Sequence, residues 1–80
     1  MEPLFRVWAR NLRTHRHAAG ITQQHLADAC GVDQSTVCRW EHPGGGYRPP
    51  RDRHKIAVAT ALGVDLAELF PLELAEQVGR

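Results

Sequence analysis

Apolar positions at the start of the chain follow a helical period. Phe5, Trp8, Leu12 and Ala19 fall at helical spacing, with Arg6, Arg10, Arg13 and Arg16 between them. Pro3 suits the opening of a helix, where a missing N–H costs nothing, and Gly20 suits its close. The pattern therefore predicts a first helix over about residues 4–18. Thr22 stands where an N-cap hydroxyl can accept from the backbone N–H of Gln24 or His25. Leu26, Ala27 and Cys30 then form the buried side of a second helix, over about 23–29, which Gly31 ends. Asp33 reads as another N-cap, with its negative charge at the positive end of a helix. Val37 and Trp40 share a face of that third helix, over about 34–41.

Residues 42–50, HPGGGYRPP, hold too many glycines and prolines for regular structure and predict a loop. Pro50 can occupy the first turn of a fourth helix over about 51–62, with Ile56, Ala59 and Leu62 in the core and Gly63 as its stop. Asp65 caps a short fifth helix over about 66–70, in which Leu66, Leu69 and Phe70 are apolar and which Pro71 breaks. The tail LELAEQV can add one or two turns as a sixth helix. No strand-like alternation and no internal repeat occurs. The fold class expected is all-α, a compact bundle of five or six helices.

Eighty residues make one small domain, and 42% hydrophobic with 24% charged residues marks it as globular. The chain leaves little room for a deep substrate cleft beside its core, and no Ser/His/Asp or paired-carboxylate arrangement is visible. A binding module is expected rather than an enzyme. No apolar run reaches the ~18 residues of a membrane helix, no signal peptide is expected at the N-terminus, and two cysteines suit a reducing, cytoplasmic setting. Cys30, Cys38, His25 and His42 offer neither CxxC nor HxxxH, so no metal and no cofactor is expected. The net charge of +1 hides an alternation: residues 1–20 and 42–55 are basic, while 21–41 and 56–80 are acidic. A polyanionic partner needs only one positive face.

The segment 22–42 joins two short helices through a Gly-containing turn. Counted from Gln23, Leu26, Cys30, Val32, Val37 and Trp40 occupy the core positions of a helix-turn-helix. Ala27 is small where the helices must cross, and Gly31 tolerates positive φ. The string ITQQHLADACGVDQSTVCRWE, followed by KIAVATALGVDLAELF, resembles the Xre/Cro-type helix-turn-helix domain of phage repressors and Cro proteins over roughly residues 5–70. The resemblance implies a lambda-repressor-like fold, with residues 1–70 as the DNA-binding domain and 71–80 as a short C-terminal helical extension. The loop at 42–50 is longer than usual for the family, and Arg53 stands where the family commonly buries a leucine.

Carried over residue by residue, the resemblance places the third helix in the major groove of double-stranded DNA. Gln34, Ser35 and Arg39 become the leading base readers, with Thr36 and Cys38 beside them on a face that also holds Asp33 and His42. Gln can bond adenine N6 and N7, and Arg guanine O6 and N7. Gln23 would bond a phosphate at the start of the second helix. Tyr47, Arg48, Arg51 and Arg53 would grip the backbone from the loop and the fourth helix, and Arg10 or Arg13 could reach it from the first. Arg16 would pair with Glu41, tying the first helix to the third. The expected function is a sequence-specific transcription regulator, a small repressor that occludes a palindromic operator in a bacterial or phage-infected cell. No room is expected after residue 70 for a sensor or self-cleaving domain. Partner expectations are double-stranded DNA and a weak homodimer built from the fifth helix and the tail through Leu66, Phe70, Leu72, Leu74 and Val78, with no membrane and no small-molecule ligand. An antitoxin-type autorepressor is the nearest alternative, and a helical protein-interaction module the alternative from another class.

Overall fold

A computed structural model describes residues 3–42, 44 and 49–71. Five helices follow in order: α1 (Leu4–Ala19), α2 (Gln23–Cys30), α3 (Gln34–Glu41), α4 (Asp52–Leu62) and α5 (Leu66–Leu69). Among the described residues there is no strand. No helix among them is long and apolar enough to cross a membrane.

Local chemistry accounts for the boundaries. Thr22 caps α2, its Oγ1 accepting from the His25 N–H at 3.0 Å. Gly31 ends α2 at φ 71°, a conformation that L side chains rarely adopt, and the chain reverses so that the Val32 N–H reaches the Ala27 carbonyl at 3.0 Å. Gly20 and Gly63 end α1 and α4 in the same manner. Asp33 and Asp65 stand at the N-cap positions of α3 and α5 but make no side-chain capping bond, so their contribution is charge at the positive helix end alone. Pro50 lies outside α4: Arg51 is the N-cap, and its carbonyl accepts from His54 and Lys55, each at 2.8 Å.

The core is assembled from all five helices. Leu12 of α1, Leu26 and Ala27 of α2, Val37 and Trp40 of α3, Val58, Ala59 and Leu62 of α4, and Leu69 and Phe70 at the end of α5 form one buried cluster. Trp8, Ile21, Cys30, Val32 and Val64 pack partly against it. Three expectations are corrected. On α1, Ala9 and Arg16 are buried while Phe5 and Ala19 are exposed. On α4 the inward stripe runs through Lys55, Val58, Ala59 and Leu62, leaving Ile56 58% exposed. In this register Val58 is fully buried, and Lys55 on the same stripe sets its ammonium 4.2 Å from the Trp8 ring centre and 5.5 Å from that of Phe70. Phe70 is buried, packed edge-on against Trp8 with ring centres 5.7 Å apart, so it is withdrawn from any dimer surface.

The end of the described chain is bonded to α1. Trp8 Nε1 donates to the Pro71 carbonyl at 3.0 Å, and Asn11 Nδ2 to that of Leu69 at 3.2 Å. The turns expected of the tail, with Leu72, Leu74 and Val78, lie outside the described residues.

Candidate nucleic-acid interface

Ala27 of α2, the small residue expected where α2 and α3 cross, is wholly buried. A larger residue there would hold the two helices apart. The back of α3 is fixed by burial of Val37, Trp40 and Glu41. Trp40 also stacks obliquely on His54 of α4, with ring centres 5.5 Å apart. With that face spent, helical periodicity leaves Gln34, Ser35 and Arg39 exposed, beside Asp33 and His42, and Thr36 and Cys38 half-buried. Of the residues expected to read bases, Gln34 and Ser35 at the helix start and Arg39 one turn on are exposed, while Thr36 and Cys38 lie partly against the protein.

A polar network pins this helix in place. Arg16 reaches from α1 into the protein, its Nε donating to Glu41 Oε2 at 2.6 Å and its Nη2 to Glu41 Oε1 at 3.1 Å. Arg16 Nη1 donates to the Ile21 carbonyl at 2.8 Å, and its Nη2 lies 3.2 Å from His17 Nε2. Glu41 Oε1 also accepts from Gln23 Nε2 at 3.0 Å, and Gln23 Oε1 accepts from Gln34 Nε2 at 2.6 Å. The buried charges are thus paired and hydrogen-bonded, and no described buried side-chain polar atom lacks a partner. An open cleft runs along this network, bordered by Arg16, His17, Gln23 and Gln34.

The remaining candidates are distributed as follows. Gln23 is half-buried, its carbonyl oxygen accepting from Gln34 and its Nε2 donating to Glu41. Arg10 and Arg13 lie on exposed positions of α1, Arg51 at the exposed N-cap of α4 and Arg53 on its exposed first turn. Tyr47 and Arg48 lie outside the described residues. Among the described residues, no group of three or more His, Cys, Asp or Glu is placed to hold a metal ion. Burial pushes the Cys30 thiol above its ordinary value, in keeping with its place against the core.

Sequence reasoning missed the Gln23–Gln34 contact and the Lys55 stack. The first had a signal: a glutamine opens both α2 and α3, two helices packed against each other.

These features define a helix-turn-helix unit set among the five helices of the described residues. The family model described as helix-turn-helix domain matches residues 9–72, and the chain belongs to that family. Among solved structures it is similar to the crystal structure of hypothetical transcription factor NHTF from Neisseria. The two are 30% identical with a TM-score of 0.73, over 96% of this chain and 84% of that one. No curated protein matches the chain.

Proposed function

We propose that this protein is a sequence-specific double-stranded DNA-binding transcription regulator, a small repressor that blocks transcription by occupying an operator. The observation that carries the reading is the state of α3. Its back is locked by Val37, Trp40 and Glu41, while Gln34, Ser35 and Arg39 are presented to solvent with the donors and acceptors that base edges require. Membership of the helix-turn-helix family and likeness to a hypothetical transcription factor support it.

In this reading α3 enters the major groove. Gln23, Arg51 and Arg53, together with Arg10 or Arg13, bind phosphates, as do Tyr47 and Arg48 of the loop. One recognition helix reads too little sequence to single out an operator, so two protomers act together on half-sites about 34 Å apart. Leu66, 43% exposed on α5, and the tail that follows supply their contact.

Selection of bound sites from random duplex DNA tests this. The expected product is one motif in two inverted half-sites spaced by about one helical turn. Recovered sequences with nothing in common would overturn the reading and favour a helical protein-interaction module.

A further inference from the structure

The hydrogen bonds that join Arg16, Glu41, Gln23 and Gln34 have a direction, and the buried carboxylate sets it. Glu41 is 3% exposed and its oxygens only accept. Gln23 must therefore turn its NH2 group toward Glu41, which it meets at 3.0 Å. That turn leaves the Gln23 carbonyl oxygen facing Gln34, so Gln34 must donate, and its Nε2 does so at 2.6 Å. Each amide orientation is dictated by the one before it, back to a charge that the Arg16 guanidinium compensates with two bonds. Arg16 is itself anchored on the Ile21 carbonyl.

One N–H of Gln34 is thus used internally, and a second N–H and the carbonyl oxygen remain. A donor beside an acceptor complements adenine, which shows N7 as acceptor and N6 as donor in the major groove. Guanine shows two acceptors, N7 and O6, of which such a group can satisfy only one. With the opposite orientation, Gln34 would accept from Gln23 and keep both of its N–H donors for a base, and guanine would be matched. We propose that Glu41, held by Arg16 and acting through Gln23, sets the donor–acceptor polarity with which Gln34 meets a base and so favours adenine over guanine at one position of the site. Arg16, Glu41 and Gln23 are then positioning residues for base reading, beyond tying α1 to α3. The inference rests on the DNA-reading function proposed above.

The test is competition binding on the selected duplex and on duplexes carrying each base at each position. The base pair facing Gln34 is identified as the one whose preference disappears in Gln34→Ala. At that pair the wild-type protein should prefer adenine over guanine by about tenfold, as a bidentate contact does. Glu41→Gln offers Gln23 either a donor or an acceptor, so both polarities become accessible. The preference should then fall to about twofold or less at that pair while other positions keep theirs. Arg16→Lys weakens the ion pair but leaves Glu41 an acceptor. It should lower the melting temperature and keep the adenine preference, a result that separates polarity from stability. Should Glu41→Gln not fold, Gln23→Met cuts the relay and leaves the ion pair in place, with the same loss expected at the same pair. A folded Glu41→Gln protein, or failing that a Gln23→Met protein, that keeps the wild-type ratio overturns the proposal. So does a loss of preference in Arg16→Lys equal to that in Glu41→Gln. A wild-type protein that binds every duplex alike overturns instead the DNA-reading function on which it rests.

Discussion

Trp40 does two jobs at the residue scale. Its ring is part of the buried cluster and stacks on His54 of α4, and its burial fixes which side of α3 faces outward. Trp40→Ala should cost ~3–5 kcal/mol, a large share of the ~5–15 kcal/mol that holds a domain of this kind together. Chemical denaturation checks this; a variant that unfolds cooperatively at the wild-type midpoint would show that the residue is not the keystone of α3. Residues whose role depends on near neighbours were legible in the sequence: Thr22 as a cap, Gly31 as the turn, Ala27 as a buried small residue. Of the roles that depend on distant partners, the Arg16–Glu41 pair was legible through the family resemblance, and that of Phe70 was not. Phe70 looks as available as Leu66 until Trp8, 62 positions earlier, is seen packed against it.

Among the elements, α3 and α4 divide the expected work. Arg39 is exposed on α3 among the base-reading candidates, and Arg51 is exposed at the N-cap of α4. Arg39→Ala should relax preference at one or two base pairs and cost ~1–3 kcal/mol on the selected site. Arg51→Ala should weaken binding to every sequence alike. Competition binding against altered duplexes distinguishes them, and an Arg39→Ala protein that loses equally on all sequences makes Arg39 a phosphate ligand. For the five described helices, existence was readable from period and punctuation, with each boundary within a residue or so of the expected one. The rotation of α4 was not. Ile56, Val58, Ala59 and Leu62 allow two inward stripes; the one adopted buries Val58 and lays Lys55 over Trp8 and Phe70, aromatics supplied by α1 and the end of α5.

For the whole molecule, a net charge of +1 understates its reach toward a polyanion, because the basic residues are gathered in two segments. One of these is α1, with Arg10 and Arg13 exposed. The other leads into α4, with Arg51 and Arg53 exposed. Three to five phosphate contacts per protomer, the number these segments suggest, would mean roughly 6–10 neutralised phosphates for a pair of protomers on one site. Such a pair should lose about 10³–10⁵ in affinity between 50 and 200 mM salt. Base contacts add a difference between sites on top of that electrostatic slope, and the slope is shared by all duplexes. The measurement that bears most directly on DNA reading by α3 is therefore a salt titration of binding to the selected duplex and to an unrelated duplex of equal length. The account predicts steep salt dependence on both, with the selected duplex bound at least ~10³-fold more tightly at physiological salt. Equal affinity for the two duplexes, or binding indifferent to salt, would contradict it.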